Sequence, residues 1–242
     1  MVPMKITPNP IIQTIVDLRF RTEVPSGAVF GLVYDQLKSS YPHFEQRPIL
    51  QMPESIREKD PAFQYEPWYA GRRGSAVLSV GPRIIALTLE NYNGWESFST
   101  DLKPVLETLQ KISLINQLER VAIRYVNFFP ENFLEITNAC ITFAEEQVSN
   151  DPVFLRTEVF KSPFKCVVQM ANRATVQRNG KRDEGSVIDL DAFVEGALLP
   201  SGAEDNLLEL IHQGNTLCKG VFFGLLRKEY VEKCCPVYPK KE

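Results

Sequence analysis

Between Ile12 and Phe20 the chain alternates strictly enough to dictate a strand. Ile12, Thr14, Val16, Leu18 and Phe20 fall on one face, while Gln13, Asp17, Arg19 and Arg21 fall on the other. A period of two sends successive side chains to opposite faces, so this stretch buries one face and presents a charged one. After Pro25 the period changes. Val29, Leu32, Val33, Gln36 and Leu37 recur at helical spacing, which predicts a helix capped by Ser26 and ended before Pro42.

The same switching continues downstream. Residues 43–71 carry Pro48, Pro53, Pro61 and Pro67 and read as a surface connection with a short strand near Ile49, ending at Trp68 and Tyr69. Ala76–Val80 and Arg83–Glu90 read as a hairpin turning at Gly81-Pro82. A helix follows, with Asn93 as N-cap and Glu96 completing a capping box. Its stripe is Phe98, Leu102, Val105, Leu106, Leu109 and Ile112, and Pro104 within it predicts a kink or a late start. Arg120–Phe128 alternates again, with Val121, Ile123 and Tyr125 opposite Arg120 and Arg124.

In the second half, Phe133–Val148 reads as a weakly patterned helix, and Phe154–Phe160 and Lys165–Gln177 as strands. Asn179-Gly180 is the strongest turn signal, Ser186–Val194 the returning strand, and Glu204–Val231 a long helix with Leu207, Leu208, Ile211, Cys218, Phe222 and Leu225 in its stripe. The expected class is α+β, with antiparallel sheets of strand hairpins each followed by a long helix. This layout recurs in residues 1–130 and 131–242, which read as two similar halves or as one continuous domain.

Charge and cysteine usage narrow the function. Twenty-seven Lys and Arg stand against 30 Asp and Glu, a net charge of -3, which disfavours a nucleic-acid binder because such affinity comes from neutralising phosphates. No apolar run approaches the roughly 20 residues of a membrane span, and Pro3, Pro8 and Pro10 interrupt any signal-peptide core, so a cytoplasmic protein is expected. The 5 cysteines form no CxxC and read as free thiols. The phosphate-binding, dinucleotide, zinc-protease and serine-hydrolase motifs are missing, and His43 and His212 are too few for a histidine-rich metal site, so no cofactor is expected.

The candidate chemistry lies on strands and helix starts. Asp189 and Asp191 share a strand face, roughly 7 Å apart. They could hold Mg²⁺ or Mn²⁺, joined by Asp183 or Glu184, or pair with arginines. Arg19, Arg21, Arg120 and Arg124 could line one sheet face and cradle a phosphate, a nucleotide or an acidic segment, or pair with Asp17, Asp189 or Asp191. Asn91, Asn93, Gly94 and Trp95 precede a helix whose N-terminus offers unpaired N–H groups to an anion, although Trp95 also suits a core anchor. Trp68-Tyr69 with Arg72-Arg73 suits stacking on single-stranded nucleic acid. His212 reads as structural. Gly214, Gly220 and Gly224 read as notches for close backbone approach, as at a dimer contact.

The order of several short motifs adds a resemblance. Asn9-Pro10-Ile11 leads to Leu18-Arg19-Phe20; Asn93-Gly94-Trp95 with Phe98 follows, then Arg124-Tyr125-Val126-Asn127, Ile188-Asp189-Leu190-Asp191, and a last helix with His212 and Phe222. This set resembles a sporadically distributed family of uncharacterised prokaryotic proteins of similar length, with Phe128-Phe129 departing from its more polar continuation. The resemblance implies no reaction, cofactor or catalytic residue, and its patchy distribution suggests an accessory or defence-related setting. The combined expectation is a non-catalytic binding or regulatory protein, a homodimer acting on a protein partner. The alternative is an enzyme or binder of a phosphorylated ligand that uses the arginine face, with Asn127, Asn93 and Trp95 as further contacts.

Overall fold

A computed structural model describes residues 2–149, 152–178 and 180–239. The strands are β1 (Ile11–Arg21), β2 (Phe44–Gln46), β3 (Tyr69–Arg73), β4 (Ala76–Gly81), β5 (Ile84–Leu89), β6 (Gln117–Phe129), β7 (Thr142–Phe143), β8 (Glu146–Gln147), β9 (Phe154–Lys161), β10 (Phe164–Arg178) and β11 (Lys181–Glu195). The helices are α1 (Ser26–Leu37), α2 (Glu54–Arg57), α3 (Trp95–Lys111), α4 (Phe133–Ile136), α5 (Leu207–Leu225) and α6 (Lys228–Lys233). The fold mixes helix with a large antiparallel sheet, whose order is β2-β3-β4-β5-β1-β6-β11-β10-β9; β7 and β8 form a separate pair. Among the described residues no helix is long and apolar enough to cross a membrane.

Contacts gather the chain into two units, each assembled from separated stretches. One holds Thr14–Ile123 and Phe193–Gly214; the other holds Met1–Gln13, Arg124–Ala192 and Asn215–Glu242. This grouping follows space, whereas the halves read from the sequence follow element order.

In the first unit, β1 pairs with β5 antiparallel, setting Val16 opposite Leu87 and Leu18 opposite Ile85. Val16, Leu18 and Phe20 are buried, as the alternation requires. Val29, Val33 and Leu37 of α1 and Phe98, Leu102, Val105, Leu106 and Leu109 of α3 bury their stripes. At about 25 cal/mol per Å² of apolar area, each such leucine or phenylalanine stabilises the unit by about 2 kcal/mol.

Several local expectations are corrected here. Pro25, not Ser26, is the N-cap of α1, and Gly94, at φ 107°, caps α3 in place of Asn93; neither makes a side-chain capping bond. Only glycine reaches that φ without strain. Pro104 sits inside α3, which starts at Trp95 and runs as one element to Lys111. Ile49 lies in a 3₁₀ turn, Pro48–Gln51, and the short strand is β2. The connection ends in an extra strand, β3, pairing with β2 and β4. Gly71 makes this possible, because a Cβ there would come within 2.8 Å of the Phe44 ring.

In the second unit, β9 and β10 form a hairpin with Val159 opposite Cys166 and Leu155 opposite Met170. Gly185 of β11 lies so close to β6 that a Cβ would fall 2.1 Å from the Phe129 carbonyl oxygen. The helix expected over 133–148 is instead the single turn α4 followed by the β7–β8 pair. The last helix breaks after Leu225, where Leu226 bridges to Thr137 and the Arg227 amide donates to the Ile136 carbonyl. Arg227 secures that break by donating from Nε to Thr137 O at 2.7 Å and from Nη2 to Leu134 O at 3.1 Å. Among the described residues, nothing beyond the helix's own neighbouring backbone comes within 4 Å of a Cβ placed on Gly220 or Gly224, so neither glycine is needed there for close packing within the fold. Asn179 of the turn expected at Asn179-Gly180 lies outside the described residues, while Gly180 has the positive φ, 76°, that such a turn needs.

Candidate functional site

Three polar groupings result, two in the first unit and one in the second. The first begins on β1, where Asp17, on the charged face, accepts hydrogen bonds from Arg120 Nη1 at 2.5 Å and from Arg19 Nε at 3.2 Å. Arg120 is the buried partner, its side chain 9 % exposed, and its guanidinium lies 4.5 Å from the centroid of the Phe193 ring. Neighbouring Glu119 takes a bond from Arg21 Nε and another from Tyr65 Oη at 2.7 Å, and Arg19 stands over the Tyr65 ring. Burial alone would raise the Glu119 pKa, but the bonds from Tyr65 and Arg21 outweigh it and hold the carboxyl below its usual range. Tyr65 is shifted up, first by burial and then by its bond to Glu119. The Glu119 bond raises Arg21 further above its already high value.

The second unit holds Arg124, Asn127 and Asp189. Arg124 grips Asp189 with Nε at 2.8 Å from Oδ1 and Nη2 at 2.5 Å from Oδ2, the fork geometry that suits guanidinium to carboxylate. Here the carboxylate is buried, 9 % exposed, and the arginine reaches solvent at 42 %. Asn127 is buried and donates from Nδ2 to Ile188 O at 3.0 Å, so its amide serves the β6–β11 backbone. Tyr125 Oη donates to Asn215 Oδ1 at 2.8 Å in the interior. Asp191, next on the same strand face as Asp189, is half-buried and opposes ionisation of the Cys218 thiol, which burial and Cys166 already push up. Among the described residues no group of three or more His, Cys, Asp or Glu is placed to hold a metal ion.

The third grouping is a cleft of about 500 Å³ between α3 and the start of α5. Trp95 forms its end, edge-on to Phe98 at 6.2 Å and tilted against the His212 ring at 5.1 Å. Leu106 and Leu208 supply apolar wall, and Lys103, Glu107, Asp205 and Glu209 supply charge. Gln110 Nε2 ties the two walls by donating to Glu204 O at 3.1 Å. Asn93 is exposed and not among the residues that line the cleft.

Arg19, Arg21 and Arg120 are therefore brought together, as are Arg124, Asn127 and Asp189, and Trp95 joins His212. Glu119, Tyr65 and Asn215 carry bonds that no motif announced; their only signal is polar chemistry in or beside strand and helix patterns. The aromatic-basic cluster is not an open stacking platform. Trp68 is buried under Arg57, Tyr69 stacks on Phe30 at 3.7 Å, Arg72 pairs with Glu90, and Arg73 pairs with Asp101 at 2.6 Å. The thiols of Cys166, Cys218 and Cys234 are buried and all five cysteines are free. Comparison with models of protein families and with curated protein sequences finds no match.

Proposed function

We propose that the protein is a non-catalytic binding or regulatory protein that acts through a protein partner, in the accessory or defence-related setting implied by the family resemblance. The observation that carries this reading is the α3–α5 cleft. The half-buried Trp95 at its end is of the residue type most enriched among the anchors of protein contacts, and Leu106 and Leu208 give it an apolar wall. Glu107, Asp205 and Glu209 outnumber Lys103, so the matching segment is an apolar anchor with a basic flank. The test is affinity capture from the protein's own cells with wild type, Trp95→Ala and Glu209→Lys. One protein retained by wild type and lost with both variants is expected. Retention indifferent to both substitutions overturns the reading.

The alternative is a phosphorylated ligand on the arginine face. It is favoured by Arg19, Arg21 and Arg83, whose charges act on Tyr65 and Glu119 while Arg21 stays 64 % exposed. Thermal melting with inorganic phosphate and with nucleotides decides it. A raised midpoint that Arg21→Ala abolishes supports this alternative, and an unmoved midpoint removes it.

A further inference from the structure

β9 is the last strand of the sheet order, bonded to β10 on one side, and its other edge pairs with no strand among the described residues. An edge strand presents a row of backbone donors and acceptors, and proteins that stay monomeric blunt such edges with short strands, prolines, bulges or charges that repel a second copy. β2, at the opposite end of the order, is blunted by length, being only 3 residues. β9 has 8 residues and no proline, and it carries Phe154 at 65 % and Phe160 at 57 % exposure. Pro152 and Pro163 stand just outside it.

The order of residues on this edge is self-complementary. The run is Phe154-Leu155-Arg156-Thr157-Glu158-Val159-Phe160. When two copies pair antiparallel about Thr157, Phe154 meets Phe160 of the second copy, Leu155 meets Val159, and Arg156 meets Glu158. Thr157 faces its own counterpart. Every opposed pair is thus of a favourable kind: aromatic on aromatic, aliphatic on aliphatic, cation on anion. A slip of one residue sets Arg156 opposite Val159 and Phe154 opposite Lys161, and it loses the match. Within one copy Arg156 and Glu158 already touch at 2.9 Å, but both are about half exposed, so that pair contributes little alone.

We propose that β9 is a homodimer interface, on which a second copy of this chain pairs antiparallel with Thr157 on the two-fold axis. The interface is isologous, as a two-fold dimer requires, and it removes the open edge of the sheet. It covers Phe154 and Phe160 and satisfies the outward-facing backbone groups of both copies. It uses no residue of the α3–α5 cleft, so its failure leaves the partner-binding reading standing. It also moves the expected dimer contact away from Gly220 and Gly224 of the last helix.

Sedimentation of the full chain tests the interface. Wild type is expected as a dimer. Arg156→Glu and Glu158→Arg, each alone, set like charges opposite one another at two symmetric places, and each is expected to weaken association at least about tenfold. The two together restore opposite charges and restore the dimer. Both side chains are exposed, and circular dichroism confirms that each variant is folded. Thr157→Cys, in a Cys140→Ser, Cys235→Ser background, is expected to form a disulfide-linked dimer on mild oxidation. Facing Cα atoms of an antiparallel pair lie within disulfide reach. Leu155→Cys in the same background, facing Val159, is expected not to cross-link. A monomeric wild type, a dimer indifferent to the single reversals, or a folded double reversal that stays monomeric overturns the proposal.

Discussion

Asp17 and Asp189 each receive a guanidinium from β6, but the buried partner is opposite in the two pairs. At Asp17 the arginine is enclosed, with Arg120 9 % exposed; at Asp189 the carboxylate is enclosed, with Arg124 open at 42 %. The difference matters because a guanidinium stays charged at any pH a protein tolerates, so one that is enclosed always needs its counter-charge. The pair with the buried arginine therefore depends on its carboxylate without relief, whereas in the other pair the arginine's charge is already shared with solvent.

The largest effect is expected at Asp17. Asp17→Asn leaves Arg120 buried with one counter-charge fewer, and chemical denaturation should show a loss of about 3 kcal/mol. Arg124→Ala is expected to cost less, about 2 kcal/mol, because Asp189 loses a forked partner whose own charge was partly in solvent. Equal losses in the two variants would break the comparison.

The smallest effect concerns Glu119 and Arg21. Arg21 is exposed, so Arg21→Ala should leave the neutral-pH denaturation midpoint within experimental scatter. Glu119 has a folded pKa below its unfolded one, so its contribution is present above the ordinary carboxylate range and is lost as pH falls through the lowered folded value. Glu119→Gln should therefore lower stability above the carboxylate range, where the contribution is present, and converge with wild type at low pH, which flattens the acid limb. An acid limb identical to wild type would show that the Tyr65 and Arg21 bonds do not hold the carboxyl down.

The segments read correctly from the chain are those whose burial repeats at a fixed period. β1 is legible because Val16, Leu18 and Phe20 alternate, and α3 because Phe98, Leu102, Val105 and Leu109 recur at helical spacing. The hairpin of β4 and β5 announces itself through β-rich runs around Gly81-Pro82. Residues 133–148 were illegible for a physical reason. Their turn places Ala144 at φ 50° and Glu145 at φ 66°, a conformation that Asn-Gly pairs usually signal and that nothing in Ala-Glu suggests. β3 was hidden because Tyr69-Ala70-Gly71-Arg72-Arg73 has no apolar alternation, and its glycine answers to Phe44, 27 positions away.

The candidate sites were legible in residue type and illegible in partnership. Arg19, Arg21, Arg120, Arg124 and Asp189 stand out as charges on strand faces, and Trp95 as an aromatic at a helix start. Whether Arg120 meets Asp17 or Asp189 depends on which strands are neighbours and in what register, and a one-residue slip would reverse every face.

The amino-acid sequence by itself determined the α+β class, most strand and helix positions, the free thiols and the list of charged candidates, because each follows from local period or residue chemistry. Tertiary structure alone decided which arginine is buried, that His212 lines a cleft with Trp95, and that β9 rather than a central strand carries an open edge. Those facts are set by hydrogen bonds between segments far apart in the chain. The run from Phe154 to Phe160 was visible as a strand from the start; its symmetry acquires meaning only once the sheet leaves that strand outermost.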